Sequence, residues 1–364
     1  MFSVLHTESS TGWGGQESRT LQESIGMRKL GARVVFLCQP GSKLAERAEA
    51  EGFDVVRCRM KKSYDLSAVK SILRAILREK IDIVNTHSGR DTLLAGIAGR
   101  LSSRRPAVVR TRHLALPITS KFTYNVLAHR IVTVSEYVRN YLISAGVIAS
   151  KVQTVQTCVD LEKFDPAKAG RGLRKELGIE GRAFVVGTIS ILRIKKGHHI
   201  LLDAIPGILK KVPDAVFVFA GDGPQKKNIE NRIKELGLGK KVFMLGLRDD
   251  VPYILNSIDL FVLPTLQEAL GTSFVEAMAM GRPLIGSDVG GVGELIKDGV
   301  NGYLVMPEDP YGLANAIIRM FQNREKAEAM GRAGMEMARQ YFTSERMCRE
   351  MYDLYTSLLE KDAG

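Results

Sequence analysis

The stretch DLFVLPTLQEALGTSFVEAMAMG, residues 259–281, contains the pattern from which we infer the fold. DLFVLPT is a short apolar run of the kind that forms a buried strand. A loop, LQEALG, follows and leads into the apolar stretch TSFVEAMAM, which predicts a turn into a helix. In an open α/β sheet, the loop that leaves the carboxyl end of a strand lies at the ligand-binding edge. The two carboxylates in this stretch, Glu268 and Glu276, are therefore candidate site residues.

The same alternation of strand and helix patterns extends along the whole chain, which indicates parallel βαβ units. We expect an α/β protein with two Rossmann-like, doubly wound domains that face each other across a cleft, where ligands of such assemblies usually bind. The predicted strands are FSVLH, ARVVFLC, FDVVRC, IDIVNTH, AVVRTRH, RIVTVSE and VQTVQ in the first half, and AFVVGTISIL, AVFVFAGDG, KVFMLGL, DLFVLPT, PLIGSDVGG and GYLVM in the second.

A charged, glycine-rich stretch at residues 166–182 predicts a linker followed by a short helix. The predicted domains are therefore residues 1–165 and residues 166–345. The tail from Pro310 to Gly364 has a nearly continuous helical pattern. Its last part, residues 346–364, is predicted to be a helix that packs back toward the first domain.

The composition is that of an ordinary globular protein, with 364 residues, 45% hydrophobic and 25% charged. No apolar run approaches the roughly 18 residues of a membrane span, and the N-terminus lacks the pattern of a secretory signal. The four cysteines are far apart in the sequence, which favours reduced thiols over disulfides or a zinc site. We therefore expect a cytoplasmic protein.

The net charge of +12 is unevenly distributed, because residues 1–165 hold 25 Lys+Arg against 15 Asp+Glu. Nucleic acid, an anionic membrane surface or a phosphorylated substrate would each explain this excess. A nucleic-acid-binding protein is disfavoured because only 7% of the residues are aromatic and no recognition motif is present. The excess is concentrated in two clusters: Arg57, Arg59, Lys61 and Lys62, and Arg100, Arg104, Arg105, Arg110 and Arg112.

Two interpretations of the glutamates remain open from the residues alone. Ser273 and Glu276 have the spacing of a capping box, in which Glu276 only completes the start of its own helix, and Glu268 in a loop is then simply solvated. Alternatively, the helix that begins beyond Gly271 offers free N–H groups and the positive end of a dipole, which is an anion site. Glu276, on the first turn, then reaches past a bound phosphate to the hydroxyl groups of a ribose, and Glu268, on the preceding loop, meets the hydroxyl groups of a sugar.

The spacing E-x7-E after a strand that ends in Pro-Thr resembles the signature of the family 4 retaining glycosyltransferases, which have the GT-B fold. Further stretches resemble that family in the same order, over essentially the whole chain: GWGGQE (12–17), TRH (111–113), RIVTVSE (130–136), SILRIKKGHHILLDAI (190–205), FAGDGP (219–224), LGLRDDVP (245–252) and PLIGSDVGGVGELIKDGVNGYLV (283–305). Two stretches depart from the family pattern. Thr157-Cys158-Val159-Asp160 stands where Asn-Gly-Val-Asp is common, and Ser190-Ile191-Leu192 stands where Gly-Arg-Leu is common, which leaves Arg193 as the candidate phosphate contact.

The resemblance implies that residues 1–165 lie on the acceptor side and residues 166–345 on the nucleotide-sugar side. It also implies a role for each candidate site residue. Arg193 and Lys196 are expected to bind the diphosphate, Glu268 the transferred sugar and Glu276 the ribose of the donor. His113 is expected to reach the sugar from the first domain. The remaining candidate substrate-binding residues are Gly14, Gly15, Leu270, Gly271, Thr272 and Ser273.

The expected activity is a retaining transfer of a sugar from a nucleotide-diphosphate sugar to a hydroxyl of a glycan or lipid-linked acceptor, in cell-surface polysaccharide or lipopolysaccharide synthesis. A sugar-nucleotide epimerase or hydrolase of the same fold is the alternative. No cofactor or metal is expected, since the chain has no D-x-D motif, and a dehydrogenase is disfavoured by the absence of G-x-G-x-x-G. The expected partners are the nucleotide sugar, the acceptor and an anionic membrane surface, and the protein is expected to lie peripherally on the inner face of that membrane.

Overall fold

The computed structural model describes residues 1–179 and 181–361, so that part of the predicted linker and the end of the predicted C-terminal segment lie outside the described residues. The described residues form two compact units. Residues 1–158 and 344–361 make up the first unit, and Val159–Thr343 the second. The chain enters the second unit at Val159. This residue pairs with Thr343 in an isolated bridge and donates its N–H to the carbonyl of Phe342 at 2.9 Å.

The first unit contains a seven-stranded sheet in which all neighbouring strands are parallel. All seven predicted strands of the first half are confirmed. In chain order the strands are β1 (Ser3–Glu8), β2 (Arg33–Cys38), β3 (Asp54–Arg57), β4 (Ile83–Thr86), β5 (Ala107–Arg112), β6 (Arg130–Thr133) and β7 (Val152–Thr154). Their order across the sheet is β3-β2-β1-β4-β5-β6-β7.

Helices connect these strands, as parallel pairing requires. Several begin at polar caps: Asp65 accepts hydrogen bonds from Ser67 N and Ala68 N, and Ser88 and Asp91 form a reciprocal capping box. The helices are α1 (Gly15–Lys29), α2 (Lys43–Ala50), α3 (Leu66–Arg78), α4 (Gly89–Leu101) and α5 (Glu136–Ser144).

The second unit contains a six-stranded parallel sheet, and all six strands predicted for the second half are confirmed. The strands are β8 (Val185–Ile189), β9 (Val216–Ala220), β10 (Val242–Gly246), β11 (Leu260–Leu263), β12 (Leu284–Ser287) and β13 (Gly302–Val305), in the order β10-β9-β8-β11-β12-β13. The helices are α6 (Leu173–Glu176), α7 (His198–Leu209), α8 (Lys226–Glu235), α9 (Val251–Ser257), α10 (Thr272–Ala279), α11 (Val292–Leu295), α12 (Pro310–Gln322) and α13 (Arg324–Tyr341).

The last helix, α14 (Ser344–Lys361), belongs to the first unit, where it packs against α1. Its apolar side chains Met347, Met351 and Leu354 lie in one buried cluster with residues of β1 and β2. With α12 and α13 this helix makes the described part of the predicted tail almost entirely helical, as expected.

Each sheet has one point at which the direction of strand addition reverses. In the first unit β1 lies between β2 and β4, and in the second β8 lies between β9 and β11. At such a point the loops that leave two neighbouring strands diverge to opposite faces of the sheet and leave a crevice between them, where ligands bind. The fold thus places the loops after β8 and β11 side by side, and likewise the loops after β1 and β4.

The basic residues of the first unit are less available than their number suggests. Arg110 is only 3% exposed: it donates to Thr123 Oγ1 at 2.6 Å and its guanidinium lies 3.7 Å from the centre of the Tyr124 ring. Arg57 pairs with Glu49, and Arg104 pairs with Asp82 at 2.7 Å. Arg110 therefore does not belong to an exposed basic surface, because its position on β5 turns its side chain into the interior.

Within residues 1–179 and 181–361, no helix combines the length and the apolar character that crossing a bilayer demands.

Candidate active site

The loops that follow β8 and β11 are joined to each other in the second unit. Leu266 N donates to the carbonyl of Lys195 at 2.7 Å, and Thr265 Oγ1 donates to the same carbonyl at 2.9 Å. Gly197 has φ +70, and a Cβ at this position would lie 1.8 Å from the carbonyl oxygen of Pro264. Only glycine therefore allows the two backbones to approach this closely.

Lys196 and Glu268 form an ion pair across these loops. Lys196 Nζ donates to Glu268 Oε2, and each side chain is only 14% exposed. Glu268 Oε1 also accepts from the N–H of Ala269 at 3.2 Å. The structure thus brings these two predicted site residues into contact.

Positive charge surrounds this pair on the loop after β8. Lys195, which we did not predict, is half-buried; burial lowers the pKa of its ammonium group, and the neighbouring charge of Lys196 adds to that effect. Arg193 is exposed and makes no ion pair with any side chain in the described ranges. An ammonium group that is costly to keep charged gains most from an arriving anion.

The start of α10 differs from the capping-box interpretation. Gly271, not Ser273, is the residue before the helix, and it has φ +108 with no side-chain cap. A Cβ on Gly271 would lie 2.7 Å from Phe274, so that glycine is needed there. No residue of the described chain accepts from the N–H groups of Thr272 and Ser273. The capping box is therefore wrong, and this helix end keeps two free donors.

The loop that holds Glu268 rests on two glycines after β12 that we did not single out. Gly291 N donates to the carbonyl of Glu268 at 3.3 Å. A Cβ on Gly290 would lie 2.0 Å from that same oxygen, and one on Gly291 would lie 2.2 Å from the carbonyl of Ala269. The backbone of Gly290 and Gly291 thus packs directly against the loop that holds Glu268.

Glu276 lies on the first turns of α10 and is half-buried. Burial raises the pKa of its carboxyl group to about 7, and the charge of Lys163 opposes this in part. No hydrogen bond from the described part of the chain satisfies its carboxylate. A desolvated carboxylate without donors is poised to accept hydrogen bonds from a ligand. Leu270, by contrast, is buried and offers only its backbone.

The candidate residues of the first unit lie at the edge formed by β1, β4 and β5. Gly14 precedes α1 with an extended φ of −164, and Gly15 is its first residue. A Cβ on Gly14 would make only an ordinary contact, 3.5 Å from Glu17, so the fold itself does not require glycine there. Nearby, burial and the charge of Asp91 raise the pKa of Glu8 to about 8.

His113 follows β5 and is 9% exposed. Its Nε2 lies 3.0 Å from Nδ1 of His87, which follows β4. Burial lowers the pKa of both imidazoles well below the usual value, so both are neutral at pH 7. His113 is thus a buried histidine, and it also ends a hydrogen-bonded row at the sheet edge.

No three His, Cys, Asp or Glu side chains converge into a metal-binding group among residues 1–179 and 181–361. The four cysteines are unpaired thiols; burial raises the pKa of Cys38 to about 12 and of Cys158 to about 11, so neither is a nucleophile at neutral pH.

Comparison with known proteins identifies both halves of the chain. Residues 13–163 match the family model described as Glycosyltransferase Family 4, and residues 171–337 match the model described as Glycosyl transferases group 1. Among curated proteins, the chain is 31% identical over 277 residues to an Escherichia coli UDP-Gal:alpha-D-GlcNAc-diphosphoundecaprenol alpha-1,3-galactosyltransferase, covering 71% of each chain.

Solved structures resemble the whole chain in fold. Anabaena HepE in complex with UDP and glucose superposes with a TM-score of 0.86 at 23% identity, over 98% of this chain and 100% of that one. A glycosyltransferase from Rickettsia africae superposes with a TM-score of 0.90 at 21% identity, over 98% of both chains. The chain therefore belongs to the family 4 glycosyltransferases, which have the GT-B fold.

Proposed function

We propose that the protein transfers a sugar from a nucleotide-diphosphate sugar to a hydroxyl of a glycan or lipid-linked acceptor, with retention of the anomeric configuration. The observation that carries this proposal is the arrangement after β8 and β11. There, a shielded Lys196–Glu268 ion pair lies beside two further cations, Arg193 and Lys195. Hydrogen bonds join the loop after β8 to the loop after β11. The second of these loops leads into α10, whose first N–H groups are free. Cations and free donors suit a leaving diphosphate, and a carboxylate suits the hydroxyls of a sugar.

The reaction breaks the bond between the anomeric carbon and the diphosphate oxygen, and the electron pair stays on that oxygen. The acceptor oxygen forms the new bond on the same face, and its proton passes to the leaving phosphate. The protein therefore needs no nucleophile of its own. Its main task is to stabilise the growing negative charge, and loss of one such contact typically costs about 3 kcal/mol, roughly a hundredfold in rate.

Arg193, Lys195 and Lys196 supply the positive charge in this proposal, together with the N–H groups of Thr272 and Ser273. Glu268 holds the transferred sugar. Lys196 and Glu268 are paired. When the donor binds, Lys196 therefore has two contacts in place of one, with the carboxylate of Glu268 and with the phosphate.

Glu276 binds the two ribose hydroxyls, for which its half-buried carboxylate lacks donors of its own. Gly14 and Gly15 allow the backbone of the first unit to approach the substrate. The packing of the fold does not require glycine at position 14, which supports a role in substrate binding. His113 contacts the sugar. The diphosphate is neutralised by these side chains and the helix end, without a resident metal ion.

The acceptor is proposed to be lipid-linked, because the Escherichia coli relative acts on a diphosphoundecaprenol-linked sugar and the first unit carries most of the positive charge. Of the basic clusters, Arg59, Lys61 and Lys62 are exposed. They are followed by Tyr64 and Leu66, which are 78% and 82% exposed. Cations beside exposed apolar groups suit an anionic bilayer surface, and we place the protein there peripherally, on the cytoplasmic face.

The test is incubation of the purified protein with UDP-, GDP- and ADP-sugars and a short-chain polyprenyl-diphosphate sugar, followed by NMR of the product. Transfer with an unchanged anomeric configuration is the expected result. An inverted linkage contradicts the retaining mechanism, and release of free or epimerised sugar from the donor, whether or not acceptor is present, identifies an epimerase or hydrolase instead.

A further inference from the structure

Three buried histidines form a continuous row across the edge of the first unit's sheet. His6 Nδ1 lies 3.0 Å from His87 Nε2, and His87 Nδ1 lies 3.0 Å from His113 Nε2. The three residues come from β1 and from the ends of β4 and β5, which are neighbours in the sheet. Adjacent rings lie 5.3 Å apart between centres in both pairs.

A buried carboxylate ends this row on the inside of the unit. Glu23 of α1 is 0% exposed, and its Oε1 lies 3.9 Å from Nε2 of His6. The same oxygen accepts from the hydroxyl of Tyr355 at 2.7 Å and from Asn85 Nδ2 at 3.4 Å. A carboxylate with only two donors in the interior is costly to bury.

The other end of the row faces outward. His113 Nδ1 has no hydrogen-bond partner within the described ranges, and it is not among the fully enclosed unpaired atoms, whereas His6 Nε2 is. His113 Nδ1 is thus the ring nitrogen through which the row meets a ligand.

Only two proton arrangements satisfy both nitrogen–nitrogen hydrogen bonds. Burial lowers the pKa of all three imidazoles, so each ring carries one proton, and each bond needs one donor and one acceptor. Either all three rings carry the proton on Nε2, or all three carry it on Nδ1. Any mixture leaves one bond with two protons or with none.

The charges around His6 distinguish these arrangements. If His6 carries its proton on Nδ1, its unprotonated Nε2 faces the Glu23 carboxylate, and the two acceptors repel each other. If His6 carries its proton on Nε2, an N–H faces the carboxylate, and the contact is favourable. Arg19, also buried, acts in the opposite direction, but its effect on His6 is smaller than that of Glu23. On His113, at the far end of the row, the charge of Arg19 acts first and that of Arg112 second.

We propose that Glu23 is a positioning residue that sets the tautomer of the whole row, so that all three rings carry the proton on Nε2 and His113 presents Nδ1 as a hydrogen-bond acceptor for a hydroxyl of the donor sugar. The part about the sugar rests on the proposed function, and the tautomer assignment does not. Because the row is cooperative, a charge inside the unit fixes the polarity of an atom at the ligand edge, two hydrogen bonds away.

The first test needs no variant. The protein has six histidines, and selective ¹⁵N labelling of their rings reports by NMR which nitrogen of each carries the proton. We expect Nε2–H at His6, His87 and His113 at pH 7.5. Nδ1–H at these three residues, or a doubly protonated ring among them, overturns the proposal.

The second test compares Glu23→Gln with Tyr355→Phe. Glu23→Gln keeps the size of the side chain but removes its charge, so His113 should show an appreciable fraction of Nδ1–H. Tyr355→Phe removes the hydroxyl bound to Glu23 but keeps the carboxylate, so the wild-type tautomer should remain. A Glu23→Gln protein that keeps pure Nε2–H in the row, or a Tyr355→Phe protein that loses it, contradicts the role of the carboxylate.

Activity separates this role from a purely structural one. In Glu23→Gln we expect kcat/KM for the donor sugar to fall about tenfold, the worth of one hydrogen bond to the sugar, with unchanged affinity for the nucleoside diphosphate, which has no sugar. Loss of both together indicates a structural defect and overturns the proposal. If the wild-type protein shows the expected tautomers but transfers no sugar from any donor, the proposed function fails while the tautomer assignment stands.

Discussion

At the scale of single residues, the two glutamates of the opening stretch have different surroundings. Glu268 is paired with Lys196, whereas Glu276 is half-buried, forms no ion pair with any of the described residues, and has a carboxyl pKa raised by burial to about 7. Neither arrangement stabilises the fold strongly, since desolvation offsets much of the attraction within a shielded ion pair and a desolvated carboxylate costs free energy. Both side chains are therefore better explained by ligand binding than by stability.

We predict that Glu268→Gln and Glu276→Gln each lower turnover at least about tenfold, as loss of a sugar contact does, while the melting temperature stays within a few degrees of wild type. Glu336→Gln, an exposed glutamate of α13, serves as the control and should change neither. Steady-state kinetics and thermal unfolding check this. A Glu276→Gln protein that melts far lower and keeps its activity would show that this residue is structural.

The raised pKa of Glu276 predicts a pH dependence of donor binding. The ionised carboxylate accepts hydrogen bonds from both ribose hydroxyls, so affinity for the nucleoside diphosphate should rise between pH 6 and 8. The contribution to stability has the opposite sign. Because the folded-state pKa lies above the usual value of 4.5, the protonated form favours folding, and this stabilisation is lost as pH rises from about 4.5 to about 7.

Calorimetric titration of wild type and Glu276→Gln with the nucleoside diphosphate, in parallel at each pH, checks the affinity. The ratio of the two dissociation constants removes the titration of the ligand's own phosphates. A ratio that does not change between pH 6 and 8 contradicts the assignment of Glu276 to the ribose.

At the scale of elements, the loops after β8, β11 and β12 support one another through glycines. The carbonyl oxygen of Glu268 is the clearest example: a Cβ on Gly290 would lie 2.0 Å from it. The loop that carries Glu268 can therefore keep its position only if the turn after β12 stays free of side chains.

We predict that Gly290→Ala displaces the Glu268 loop and abolishes most of the activity. Gly299→Ala is a matched control, because Gly299 also has a positive φ, +76, but open space around its Cβ position. The control should lose about 1 kcal/mol of stability through backbone strain and keep its activity. Equal loss of activity in both variants would show that strain, and not the clash, is responsible.

The cations of the loop after β8 and the free N–H groups of α10 also predict how the enzyme treats metal ions. If these groups neutralise the diphosphate, sugar transfer should persist in excess EDTA, with the same kcat as in Mg²⁺. The measurement is the initial rate after dialysis against chelator. Complete loss of activity that Mg²⁺ or Mn²⁺ restores would contradict the role given to Arg193 and Lys196.

At the scale of the whole molecule, the uneven charge predicts reversible docking on anionic membranes. Each exposed cation near such a surface contributes about 1 kcal/mol, an attraction that falls off within a Debye length of about 8 Å at physiological salt. We predict co-sedimentation with phosphatidylglycerol vesicles that weakens steeply with salt and is absent on neutral vesicles. Absence of binding even at low salt would indicate a soluble acceptor.

The responsible surface is tested by a triple substitution of Arg59, Lys61 and Lys62 to Gln, which should weaken this binding. The matched control replaces three exposed lysines of the second unit, Lys210, Lys211 and Lys240, with the same change in net charge. If the control weakens binding equally, net charge rather than the surface around Tyr64 is responsible.

The sequence by itself determined the elements and the loops at the carboxyl ends of the strands. All thirteen strands were predictable, because a run such as DLFVLPT is apolar over its whole length and a buried parallel strand requires that locally. The position of Glu268 on a loop and of Glu276 on the following helix came from the same stretch. These features depend on residues that are near one another in the chain, so local sequence patterns are enough to predict them.

Only the tertiary structure decided which side chains meet. Lys196 and Glu268 are 72 residues apart, His6 and His87 are 81 apart, and Glu23 and Tyr355 are 332 apart, so each contact depends on strand order and on the return of α14. The same holds for Arg110, which is buried although it lies in a basic cluster of the sequence, and for Gly271, which precedes α10 with a positive φ where one interpretation had placed a Ser273 cap. The physical reason is that burial and pairing are set by neighbours in space, which local periodicity does not specify.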